Sequence, residues 1–490
     1  MSRLKLSRRS EREPLPNGTE EEGASSPSKH IQFAGWATFI VGAAGCSYLT
    51  WLALQPVAPS KLAIPYALLH FGLFAIYLIG LRLLHSWVSD EKRKVALILL
   101  ISLLLRLILF PGPPLLDDDI YRYRWDGKVT ASGGNPYAFA PEAPELAKLQ
   151  DGDPLFERIG FRDVPAVYPP ASQAIFAAGY LLNPDGIWGI KFLTTLCDMV
   201  VIVAIIGLLR SLKRSPEMAA LYAWNPLVLK EFANSGHHDT AGIALLVLGL
   251  WALAANRRSL ASCAFGLATL IKPILALLTP ALWARLRFRD WLLWGALIIA
   301  SYLPFANIGL ERLFAGMSLY ARHWEMNDGL FALIQAAFGG PIPSRNLGFQ
   351  FETSPLARMA VFAIWFSVAI YLIYDSSREK RGLSLAFGPV EGGIVRSLWR
   401  MAVLLSAVLA LTPTLDPWYV CWLIPFLCLF NWKSGLLLTA MVGLSYLYYW
   451  QDKDFWWLRP LEYLPVVALL TWEISRSHLK MKSRRPESSE

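Results

Sequence analysis

Three consecutive carboxylates, Asp117, Asp118 and Asp119, stand in "LLDDDIYRYRWDG", a few residues after the apolar run "VALILLISLLLRLILF" ends at Phe110. Carboxylates so close repel one another and add nothing to membrane insertion, so they call for a chemical use. An ionised carboxylate can accept the proton of an attacking hydroxyl. Other reactive side chains lie far off in the chain: Asn234, His237, His238 and Asp239 in "ANSGHHDTAG", Lys272 before Pro273, Arg322, His323, Glu325, Asn327 and Asp328 in "ARHWEMNDGL", and Asp416 in "TPTLDPWYVCW". Lys, Arg and His neutralise a phosphate leaving group. Together the two kinds of residue suit transfer of a sugar from a polyprenyl-phosphate donor, whose lipid lies in the bilayer and whose sugar sits at its surface. Lys272, at a helix break, and Arg322 are expected to bind the phosphate. Asp118, His238 and Asp239 could hold a divalent metal; capping of the following helix is the plainer role for the histidine pair.

These residues need a membrane scaffold. The chain has 490 residues, 55% of them hydrophobic, with 20 Trp and a positive mean hydropathy, too apolar for a water-soluble surface. We expect an all-α polytopic membrane protein of about 12–14 transmembrane helices. Twelve apolar runs of spanning or near-spanning length are visible, among them 95–110, 216–231, 418–431, 434–450 and 460–475, and a broken helix flanks Lys272-Pro273. Asp198, two turns from Lys191 on the same helix face, is expected to form a structural ion pair with it. The five cysteines fall in apolar runs with no paired spacing, which gives no disulfide framework or zinc site.

Loop charges orient the scaffold. Lys and Arg gather at 3–12, 92–94, 210–214, 257–258, 285–289, 378–381 and 476–485, and the order of the runs puts all of these on one face, cytoplasmic by the positive-inside tendency. The opposite face receives 111–186, with eleven acids against six bases, and 307–354. Both are too long to be simple connectors, and the first, with a short helix at 171–182, reads as a packed catalytic cap. The expected organisation is a cytoplasmic tail at 1–30, one membrane domain at 31–475 and a basic cytoplasmic tail at 476–490. The net charge of +9 then reports topology and anionic headgroups; nucleic acid is not an expected partner. The acids, histidines and Lys272 share one extracytoplasmic cavity on this reading. A flippase or other transporter is the competing class, but its polar groups would lie nearer the bilayer midplane.

"DDDIYRYRWDGKVTASGGNPYAFAP", followed by "VYPP", resembles the GT-C class of integral-membrane glycosyltransferases, and more closely the bacterial polyprenyl-phosphate-mannose-dependent alpha-mannosyltransferases. The resemblance is dense over about 115–175. It implies an inverting transfer at the outer face of the cytoplasmic membrane, mannose favoured, to a hydroxyl of a glycan or glycolipid. The acid matching the class base is Asp119 or Asp118, with Asp117 the weaker candidate. The substrate surface would take in Asp117, Tyr121, Arg122, Asp126, Asn135, Tyr168, His237, His238, Asp239, Lys272, Arg322, His323 and Asp416. Two helices precede the one that usually comes first in the class.

Overall fold

A computed structural model of the chain describes residues 29–338, 354–378, 393–451 and 457–482. Most of the 1–30 tail, part of 307–354, the end of 476–490 and most of "WQDKDFWW" lie outside the described residues. The described chain is helical, with no strand and one isolated bridge, Met326 to Thr414. It is a polytopic membrane protein. Its longer helices are α1 Lys29–Ala53, α2 Pro59–Trp87, α3 Glu91–Leu109, α4 Asp119–Ala131, α5 Pro170–Leu182, α6 Trp188–Ser211, α7 Asp239–Ala254, α8 Arg258–Thr269, α9 Phe288–Tyr302, α10 Ala315–His323, α11 Pro355–Arg378, α12 Ile394–Leu411 and α13 Leu458–Lys482.

Six helical stretches among the described residues are long and apolar enough to cross a membrane: 32–53, 59–86, 188–211, 288–308, 355–376 and 394–411. The twelve apolar runs are therefore not twelve unbroken spans. The run 95–110 falls in α3, whose first turn carries Glu91, Lys92, Arg93 and Lys94. The run 216–231 is divided at Pro226 and ends in a π-helical turn, Leu229–Asn234. The run 418–431 is divided into Pro417–Val420, Cys421–Leu423 and Ile424–Phe430, with Pro425 at the last boundary. Proline lacks the N–H that would carry an α-helix through. The break at Lys272-Pro273 is present: α8 stops at Thr269, and a 3-10 segment runs from Pro273 to Leu282. The short helix expected at 171–182 is α5.

The expected Lys191–Asp198 pair is not made. Seven residues of helix separate the two charges by about 10 Å along the axis, and each finds a nearer partner on a neighbouring element. Asp198 accepts from Arg106 Nε of α3 at 2.6 Å and from Tyr222 Oη at 2.8 Å, with both charged side chains fully buried. Lys191 donates to the carbonyls of Leu109 and Gly112, at 3.4 and 2.5 Å, and so caps the end of α3.

Charged contacts mark two opposite ends of the bundle. At one end Glu217 meets Lys94 and His85, and Arg210 meets Glu91. The other end carries the acidic run.

Candidate active site

Asp117, Asp118 and Asp119 lie where α3 has ended and α4 begins. Leu116 just before them is held at φ +54°, a conformation that costs a branched residue energy and turns the chain abruptly. Asn234 of the π-helical turn clamps this bend, accepting from the Leu115 N–H at 2.9 Å and donating to the Pro113 carbonyl at 2.9 Å. Asp117 Oδ1 accepts the Asp119 N–H at 3.0 Å and so shapes the start of α4. The helix is buried along most of its length. At Gly127 an added Cβ would lie 2.2 Å from the Phe176 carbonyl, so only glycine allows α4 to lie this close to α5. One turn from the acids, Tyr123 stacks on Phe176, centroids 4.6 Å apart.

A second group of polar side chains meets the acids from below. The π-helical turn supplies Lys230 and Glu231, both fully buried, and the tight turn at Gly236 (φ +76°) delivers His237. His237 Nε2 lies 2.6 Å from Asp117 Oδ2 and 3.4 Å from Glu231 Oε2. Lys230 Nζ is 3.2 Å from Glu231 Oε2 and 3.8 Å from Asp117 Oδ2, and it also hydrogen-bonds Tyr446, whose hydroxyl donates to Glu231 Oε1 at 2.7 Å. Trp418 stacks on the imidazole, centroids 4.0 Å apart.

This arrangement separates the three acids electrically. Burial opposes charge on Asp117, but His237 and then Lys230 outweigh it and bring the carboxyl down to about 2. Burial likewise opposes charge on His237, and Asp117 followed by Glu231 raise the imidazole to about 10, so both ring nitrogens carry hydrogens. Nδ1 then donates to Tyr123 Oη at 3.1 Å, which leaves the Tyr123 hydrogen for Asp119 Oδ2, also at 3.1 Å. Asp119 is pushed up by burial and by Asp117, with His237 and Tyr123 acting against the rise. Its Oδ1 makes no hydrogen bond among the described residues. Asp118 is the exposed member; the protein around it, then Asp119 and Asp117, raise it to about 7, a rise softened by its access to solvent.

The charged pair predicts a pH profile of stability. Stabilisation through His237 is complete below its ordinary 6.5 and fades as the pH climbs toward 10, while that through Asp117 is complete above 3.8 and fades toward 2. Thermal stability should therefore hold this contribution from about pH 4 to 6.5 and lose it on the alkaline side. His237→Gln should flatten the alkaline decline; an unchanged slope would remove the pair from the account.

Lys272 and Asp239 form the opposite wall. Asp239 Oδ1 accepts from Lys272 Nζ and from Trp422 Nε1, each at 2.7 Å, and Lys272 Nζ lies 3.8 Å from the centre of the Tyr419 ring. Ser172 of α5 donates to the Ile271 carbonyl at 2.9 Å and ties the helix break to the first loop. Asp416 is buried beside this wall; burial, then Asp119, raise it to about 8.

The structure thus brings Asp117, Asp118, Asp119, Tyr168, His237, Asp239, Lys272 and Asp416 to one region. Tyr168 Oη is 3.4 Å from Asp119 Oδ2. The ring of His238 is packed against Tyr123, Tyr168 and Phe176. Others are engaged with neighbouring elements or lie on the second long loop. Arg122 pairs with Asp126 at 2.8 Å and donates to the Phe161 and Val164 carbonyls; the Tyr121 hydroxyl accepts from Arg158; Asn135 donates to the Phe305 carbonyl and to Asn307. Arg322 and His323 occupy the last turn of α10, with Arg322 exposed. From the same loop, Glu325 pairs with Arg358 and Asp328 with Arg459.

The metal set Asp118, His238 and Asp239 is not the one gathered. Ligand atoms within 4.8 Å of one another come from Asp117, Glu231 and His237, or from Asp117, Asp118 and Asp119. Lys230, Glu231 and Tyr123 are absent from the expected set. The signal for the first two is present in the sequence, since two charges inside the apolar run "LVLKEFAN" are costly unless used.

The profile of the family described as alpha-(1->6)-mannopyranosyltransferase, N-terminal domain, matches residues 30–287, more than half of the chain. A search of curated proteins finds no match.

Proposed function

Since the chain belongs to the alpha-(1->6)-mannopyranosyltransferase family, we propose that its mannosyl donor is a polyprenyl-phosphate sugar and that Asp119 is the general base of an inverting transfer to a glycan or glycolipid hydroxyl. The observation that carries this reading is the chain His237–Tyr123–Asp119. It fixes Asp119 Oδ2 with a donated hydrogen and leaves Oδ1 to face the acceptor. As the acceptor oxygen bonds to the anomeric carbon, its proton passes to Oδ1, and the bond from that carbon to the phosphate oxygen breaks on the opposite face. Polyprenyl phosphate departs with the electron pair. Lys272, with one N–H on Asp239 and others available, neutralises the phosphate.

A divalent metal at Asp117, Glu231 and His237 would have to displace the Lys230 ammonium. We therefore assign the positive charge of this site to Lys230 and His237 and give no step to a metal. On this reading the catalytic loop 111–186 and the loop 307–354 lie outside the cytoplasm, within one membrane domain at 31–475 whose tails face inward, as the distribution of Lys and Arg between the loops favours.

Purified protein in lipid, given a panel of polyprenyl-phosphate sugars and a short mannose oligosaccharide, should transfer mannose. Transfer from a nucleotide sugar but from no lipid-linked one would overturn the donor assignment. Lys272→Met should weaken donor use by about 1.5–3 kcal/mol, the range of a charge-assisted hydrogen bond; an unchanged donor dependence removes Lys272 from the phosphate site. Cysteine placed at Glu145 should react with an impermeant reagent applied to intact cells, and cysteine at Lys213 should not. The reverse pattern would put the acids on the cytoplasmic face.

A further inference from the structure

We infer that Phe161 and Trp324 form a stacking platform for a pyranose ring of the acceptor glycan on the open side of Asp118, an inference that rests on the transferase reading above. Phe161 sits in the left-handed region at φ +50° with its side chain 39% exposed. A bulky residue gains little for folding from that combination, because the strain of the backbone opposes what the partly covered ring contributes. The strain is held in place by construction. The Phe161 carbonyl accepts from Arg122 Nη1 at 3.1 Å and from the Val164 N–H at 3.2 Å, and Arg122 is itself locked to Asp126.

The position is next to the chemistry. A Cβ on the preceding Gly160 would lie 2.8 Å from Asp118 Oδ2, so the backbone here abuts the exposed carboxylate. The Phe161 ring meets Trp324 of the second long loop edge to face, centroids 4.5 Å apart. Trp324 continues into Tyr320 at 5.2 Å, and the Tyr320 hydroxyl is hydrogen-bonded to that of Tyr419, the ring beneath Lys272. An aromatic wall therefore runs from the acids to the phosphate-binding lysine. The C–H face of a pyranose suits such a wall, while its hydroxyl edge would meet Asp118.

Phe161→Gly removes the ring and suits the left-handed backbone, so a purely structural role and a binding role give opposite readings. With polyprenyl-phosphate mannose and a short mannose oligosaccharide, Phe161→Gly should raise the acceptor KM on the order of tenfold, the scale of one aromatic contact. The donor KM should not change, and the melting temperature should move little, because relief of the left-handed strain offsets the lost contact with Trp324. Phe161→Leu should behave like the glycine variant, and Phe161→Trp should keep the wild-type acceptor KM. Saturation-transfer NMR of the same oligosaccharide with the enzyme alone reads binding without turnover and should lose its signal in Phe161→Gly. Wild-type transfer with a Phe161-independent acceptor KM would overturn the platform alone. Phe161-dependent oligosaccharide binding without mannose transfer would overturn the transferase mechanism alone.

Discussion

Asp119→Asn is expected to lower turnover by about 10²–10⁴-fold, the span of a lost general base, in a protein that still inserts and still binds donor. The asparagine keeps the shape of the side chain and can still accept the Tyr123 hydrogen. What it loses is the atom that takes the acceptor's proton. The neighbouring acids should respond differently, because their surroundings differ. Asp118→Asn removes a like charge beside the base and should cost less. Asp117 is bound to His237 at 2.6 Å and lies near Lys230, so Asp117→Asn would act through the orientation of His237 and Tyr123. Turnover measured at matched expression decides the matter. Wild-type rates in both Asp119→Asn and Asp118→Asn would move the base elsewhere, with Asp239 the next residue to substitute.

Arg106→Met should destabilise the fold by about 3–5 kcal/mol, the range found when one partner of a buried ion pair is removed. Asp198 would keep its bond from Tyr222 and lose the one cation that pairs with it among the described residues, at a fully buried position. Arg106 also donates to the Ser102 and Ala223 carbonyls, so the arginine joins α3, α6 and the segment before Pro226. The paired substitution Arg106→Met with Asp198→Leu should recover much of the loss, because no unpaired charge remains. Thermal unfolding in detergent would show it. A single variant as stable as wild type would mean that Asp198 takes a proton or finds another partner at little cost.

The site was legible wherever a polar residue interrupted an apolar context beside a turn. Asp117–Asp119, His237, Asp239, Lys272 and Asp416 are spread over three hundred residues, yet the reading of loop faces put them on one side, and the structure gathers them. What escaped was pairing between helices. A helical wheel compares residues of one helix only, which is why Asp198 was matched to Lys191 when its partner is Arg106, ninety-two residues earlier. Lys230 and Glu231 were absorbed into a spanning run, because hydropathy averages over a window and a π-helical turn leaves no periodic mark. Breaks at Pro226 and Pro425 were written in the sequence, but composition alone does not say whether a proline kinks a span or ends it.

The clamp on the acidic bend has a consequence for biogenesis. Asn234 and His237 follow their partners Leu115, Pro113 and Asp117 by 119–121 residues. At a synthesis rate of about 5–20 residues per second, the acids leave the ribosome on the order of ten seconds before the side chains that will hold them. Tyr446, which completes the bonds of Glu231, arrives a further 215 residues later. During that interval the nascent loop carries adjacent carboxylates without Lys230 and His237, the cations that pair with Asp117, and the bend at Leu116 lacks the Asn234 clamp. A chain stopped before Asn234 would thus present the acids in an open, repelling form. The site can close only when the later segments have inserted, so its assembly reports on the membrane insertion of the chain after it.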